Sequence, residues 1–140
     1  MRLLRLIPCL LAAIAADPAI SAEPTIDVYH DWGVGCDNVL TCTAQTGEWG
    51  DDIRLSIARQ PGPAGELSVE LVGWPGQRQP VIKVDGVPLV LPRGAWGSPG
   101  DADEIRLSTT DQDAIRAFLA TLRRGRQLTV GTGHKVSLHG

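Results

Sequence analysis

The chain has 140 residues, with 13 basic against 16 acidic side chains and a formal net charge of −3 with neutral histidine. A mildly acidic chain lacks the basic footprint of a nucleic-acid binder, and its length fits one domain. No apolar run is long enough to cross a bilayer, which excludes a helical membrane protein.

The N-terminal MRLLRLIPCLLAAIAADPAISAEPT has the three-part layout of a secretory signal peptide. Arg2 and Arg5 form the positive region, Leu6 to Ala16 the apolar region, and Ala19, Ser21 and Ala22 supply small residues near the cut. At about 11 residues the apolar stretch falls short of the roughly 20 that span a bilayer. The expected cleavage follows Ala22, with a cut after Ser21 as the alternative. Cys9 lies inside the apolar segment without the residues that precede a lipidated cysteine, so it is expected to leave with the signal. Residues 1–22 carry away Arg2, Arg5 and Asp17, leaving 11 basic and 15 acidic residues and a net charge of −4 in a single domain over residues 23–140. The expected location is the periplasm or the exterior.

Cys36 and Cys42 then remain, in an oxidising compartment. Their C-x5-C spacing is not the C-x-x-C of a thioredoxin-like centre, and no second Cys or His pair completes a zinc site. The flanks point to a hairpin. Asp31-Trp-Gly-Val-Gly-Cys36 reads as a strand, Asp37-Asn38 as a turn, and Thr41-Cys-Thr-Ala44 as a return strand. Opposed residues of such a pair stand about 4.5–5.5 Å apart at Cα, within disulfide reach. The pair is therefore expected to brace one turn.

Further along, Asp52–Ala58 alternates with Ile53, Leu55 and Ile57 on one face, and Leu67, Val69 and Leu71 repeat the pattern after the turn-rich Pro61–Gly65. Val81–Val84 and Val87–Leu91 flank Asp85-Gly86, a strong hairpin signal; Pro88 pushes the second arm towards a sheet edge or a strand start. Arg93–Gly100 reads as a Gly/Pro-rich loop and Glu104–Ser108 as a short strand. A helix follows, with Thr109 or Thr110 as its expected N-cap and Ile115, Phe118, Leu119 and Leu122 as its apolar stripe. Gly125 is placed to end it, and Arg123 and Arg124 suit its negative end. Gln127–Val130 and Lys135–Leu138 read as closing strands. The expected fold is α+β and mostly β: an antiparallel, sandwich-like sheet domain with one packed amphipathic helix near the C-terminus.

The run Asp31-Trp-Gly-Val-Gly-Cys-Asp-Asn with Cys42-Thr-Ala44 resembles the opening of an exported Gram-negative bacterial family known as a domain of unknown function. The strand Ile53–Arg59, then Val84-Asp-Gly-Val-Pro-Leu89, Leu122–Val130 and Val136-Ser-Leu-His-Gly140 follow in that family's order. The pattern is also similar to the invasion-associated locus B proteins, secreted domains with an Asp-Trp strand near the start. The likeness covers most of residues 26–140. It implies fold and compartment but transfers no activity. Such relatives usually run on past the Ser-Leu-His-Gly element, which implies a shortened member, a frameshifted product or a fragment, and any function of the further region would then be lacking.

Enzyme chemistry needs convergent groups. His30, His134 and His139 are the candidate bases. In a strand His30 and Asp31 point to opposite faces, so no dyad is expected from them. Ser108 and Ser137 lack the Gly-x-Ser-x-Gly frame of a nucleophile elbow. Asp101-Ala-Asp-Glu104 lacks the spaced oxygens of a calcium loop and reads as a solvated loop. Arg123, Arg124 and Arg126 invite an anion, yet helix capping accounts for two of them. No catalytic residue, cofactor or metal ligand is assigned.

Trp32 is expected in the core. Trp49, Trp74 and Trp96 sit beside Gly or Pro in loops and are the candidate partner-binding residues, with packing over a sheet edge as the structural alternative. The expected function is a non-enzymatic exported domain that binds an envelope protein or glycan and no nucleic acid. A small envelope hydrolase or sugar-binding module is the second reading, and a truncated product without independent function the third.

Overall fold

The computed structural model describes residues 24–47, 53–74, 81–97 and 104–140. Among them the chain forms β1 (Thr25–Tyr29), β2 (Trp32–Cys36), β3 (Cys42–Thr46), β4 (Ile53–Arg59), β5 (Leu67–Gly73), β6 (Ile82–Val84), β7 (Val87–Pro88), β8 (Ile105–Thr109), α1 (Gln112–Leu122), β9 (Gln127–Val130) and β10 (His134–Ser137). Two antiparallel sheets result. One runs β1-β2-β3-β4-β5-β8 and the other β10-β9-β6-β7. The mostly-β, sandwich-like reading with one late helix holds.

Strand alternation builds the core. Leu55 lies opposite Leu71, and Leu71 opposite Leu107, in one row across three strands. Ile53, Leu55, Val69 and Leu71 of the large sheet meet Ile82, Val84, Leu128, Val130 and Val136 of the small one in a single buried cluster. From α1, Ile115, Phe118 and Leu122 join the same cluster, while Leu119 is only partly buried at its margin. Polar ties lock the layers: buried Thr46 donates its hydroxyl to the Ser137 carbonyl at 3.0 Å, and the Gln112 side chain pairs with the backbone of Leu67.

Several expected boundaries shift. The first strand pair is β1 with β2, joined by the two-residue turn His30-Asp31, so Asp31 belongs to a turn and not to a strand. The arm expected over Val87–Leu91 is a strand only at Val87–Pro88, with one further bond from the Leu89 N–H to the Ile82 carbonyl at 2.8 Å, and the turn before it forms as read, with φ of 49° at Asp85 and 82° at Gly86. Both signs suit a tight hairpin turn of the primed kind.

The helix cap is Asp111 and not a threonine. Its carboxylate accepts from the N–H groups of Asp113 and Ala114, each at 2.9 Å. Thr109 is committed elsewhere: it ends β8, is buried, and donates to the Ala95 carbonyl at 2.7 Å. Gly125 does follow the helix, but it is not among the residues with positive φ. It matters because an added Cβ would run into Val84 Cγ1, so there is no room for a side chain at this position.

Candidate functional site

Cys36 and Cys42 face each other across β2 and β3 and are joined as a disulfide, with Cα atoms 4.0 Å apart. The backbone N–H of Asp37 donates to the Thr41 carbonyl, which makes the neighbouring Cys pair a non-hydrogen-bonded one, where opposed Cα atoms come closest. Around the turn, the Asp37 carboxylate accepts from Val39 and Thr41 N–H at 2.9 Å. The bridge braces this hairpin, as its spacing implied.

The same alternation defines the sheet edge. If Asp37 and Thr41 bond each other, Gly33 and Gly35 also direct their backbone groups to β3, and Trp32, Val34 and Cys36 direct theirs to β1. On β1 the partners of those three are Tyr29, Asp27 and Thr25. The N–H and C=O groups of Ile26 and Val28 therefore point outward, and no described strand pairs with that side. Ile26 is 80% exposed, Val28 73% and Tyr29 55%. The opposite edge is met at one point, where Gly97 exchanges backbone hydrogen bonds of 2.8 and 3.1 Å with Ser108 of β8. The sequence reading passed over β1, although Thr-Ile-Asp-Val-Tyr has strand propensity and alternation.

The outward face of the large sheet is polar. Gln45, Ser56, Glu70 and Ser108 form a row across β3, β4, β5 and β8. Together with Thr43, Ser68 and Thr110 they line an open trough of about 780 Å³. Beside it the Arg106 guanidinium donates to Glu70 at 2.6 Å and to Glu104 at 2.9 Å. The hydrogen bond to Glu70, then that to Glu104, raises its pKa further above the ordinary arginine value, so it stays charged. Glu104 is thus tied into a surface ion cluster, whereas Asp101 and Asp103 lie outside the described residues.

A second depression of about 480 Å³ holds His30, Asp31, Lys135 and Ser137 where the β1–β2 turn meets β10. His30 has φ of 52°, a left-handed conformation unusual for a non-glycine residue. The Ser137 hydroxyl donates to Asp31 Oδ2 at 2.5 Å, and the His139 N–H donates to Ser137 Oγ at 3.2 Å. The Asp31 N–H donates in turn to the His139 carbonyl at 3.2 Å. This closed set seats the His30 and His139 rings against each other, centroids 4.3 Å apart and planes tilted by 40°. His134 stands at the other end of β10. Sequence spacing could not show this gathering, because 106 residues separate Asp31 from Ser137. Chemically, the Ser137 hydroxyl donates its hydrogen bond to a carboxylate and not to an imidazole, so the three residue types of a triad are present without a triad's connections.

The tryptophans divide. Trp96 packs edge-on against Phe118, centroids 5.1 Å apart, and is half-buried against the core. Its indole N–H is buried and has no hydrogen-bond partner among the described residues. Trp74 directly follows β5 and is 50% exposed. Trp32 packs against the core, as read. Trp49 lies outside the described residues. Arg123 caps the helix end through its N–H to the Leu119 carbonyl, and the Arg126 N–H donates to the Asp85 carboxylate. Their backbones are structural.

The model of a family described as a protein of unknown function, DUF1176, matches residues 26–140. The chain belongs to this family. Membership of DUF1176 agrees with the domain-of-unknown-function part of the resemblance read from the sequence; it speaks neither to a bacterial source nor to likeness with invasion-associated locus B proteins. No curated protein and no solved structure matches the chain.

Proposed function

We propose that this DUF1176 domain is an exported, non-enzymatic binding module that takes an extended segment of an envelope protein along the open edge of β1. Export is supported by the signal-like residues 1–22 and by the disulfide. No helix among the described residues is long and apolar enough to cross a membrane. The observation that carries the binding reading is the edge itself, where a strand with exposed Ile26, Val28 and Tyr29 presents backbone groups that no other described strand pairs. Added strands bind such edges through main-chain hydrogen bonds, with alternate side chains supplying selectivity.

Two measurements test it. Fusion of residues 1–22 to a reporter that folds only after export should give an active reporter, and an inactive one removes the export claim. Val28→Pro deletes an outward N–H not used by β2, so affinity capture from envelope extract should fall to background while the thermal midpoint stays close to that of the parent. Equal capture by the parent and by Val28→Pro, with Trp74→Ala alone reducing it, would move the contact to the loop tryptophan.

The trough on the polar face supports a second reading. Its hydroxyl and carboxamide lining suits a small sugar, which ligand-observed NMR with envelope-derived saccharides would detect and Ser56→Val would abolish.

A further inference from the structure

We propose that the facing imidazoles of His30 and His139 form a binding site for one divalent late transition-metal ion, copper(II) above all. Two imidazole nitrogens bound cis to one ion, at roughly 2.0–2.1 Å each, put the ring centroids about 4.5–5 Å apart. The rings already stand 4.3 Å apart, a few tenths of an ångström closer.

Both residues sit on constrained backbone. His30 is held at the tip of a two-residue turn in a left-handed conformation. His139 is fixed by its own N–H and C=O, bonded to Ser137 and Asp31 respectively. The Ser137 hydroxyl in turn holds the Asp31 carboxylate beside the pair. Asp31 and Lys135, one acidic and one basic side chain, line the same depression as His30. Both histidines are exposed, so their nitrogens are reachable and water completes the shell. Among the described residues no group of three His, Cys, Asp or Glu side chains converges on a metal. The site is therefore a two-histidine one, and the intrinsic order of divalent metal affinities favours copper(II) in it.

Copper(II) is titrated into tag-free protein with its disulfide intact, followed by visible absorption and by electron paramagnetic resonance for coupled nitrogens. One equivalent should bind with a two-nitrogen signature. His139→Ala and His30→Asn should each weaken binding by about tenfold or more, while His134→Ala leaves it unchanged. Asparagine is used at position 30 because it tolerates the left-handed conformation, so the turn is kept; circular dichroism confirms folding of every variant. Absence of a stoichiometric copper signal overturns the site, as does equal binding by the His30→Asn/His139→Ala double variant or loss of binding in His134→Ala.

Discussion

At Asp111 one carboxylate satisfies two of the N–H groups that a helix start leaves without partners. Removing it should cost about 1 kcal/mol. Asp111→Ala is accordingly expected to lower the urea midpoint with an unchanged slope. Gly125 is set by space and not by φ: its missing side chain leaves room for Val84 and Leu138. Gly125→Ala should therefore destabilise by about 1–3 kcal/mol, the range for forcing atoms into a packed site. A helix-ending glycine valued only for backbone freedom would show a smaller loss, and denaturant unfolding separates the two explanations.

Among the elements, the β2–β3 hairpin and β1 carry opposite burdens. The hairpin is closed by Cys36–Cys42 across a sequence separation of 6. Closing so short a loop contributes about 2 kcal/mol in the chain-entropy account. Cys36→Ser/Cys42→Ser should lose about that much stability in chemical denaturation and keep the parent's far-ultraviolet dichroism, because the buried cluster that joins the sheets contains neither cysteine. Among the described strands β1 pairs with β2 only, and Ile26 and Val28 on it are exposed. An edge of this kind attracts pairing unless something covers it.

Over the whole molecule, stability is concentrated where the two sheets and α1 share one core. Leu128 and Val130 of the small sheet, Leu55 of the large one and Ile115 of the helix are each 0% exposed. Leu128→Ala should cost about 2–5 kcal/mol, the range for truncating a buried leucine. Val28→Ala, on the solvent side of β1, should change stability by less than about 0.5 kcal/mol. Comparable losses at the two positions would mean that β1 is covered in solution, and thermal unfolding of both variants decides it.

Local chemistry in the sequence determined the disulfide hairpin, the Asp-Gly turn, the alternating strands β4 and β5 and the amphipathic helix, because each rests on residues within one or two turns of each other. The helix cap lies within that range and still is not decided by it, since Thr109 and Asp111 both suit the role and only the burial of Thr109 in β8 separates them. What the tertiary structure alone decided is the pairing of distant segments. Strand order left β1 at an edge, the cover of Phe118 drew Trp96 inward, and the meeting of the β1–β2 turn with β10 set His30 against His139. Side chains more than a hundred residues apart leave no periodicity in the chain, because their contact depends on how two sheets stack around a common core.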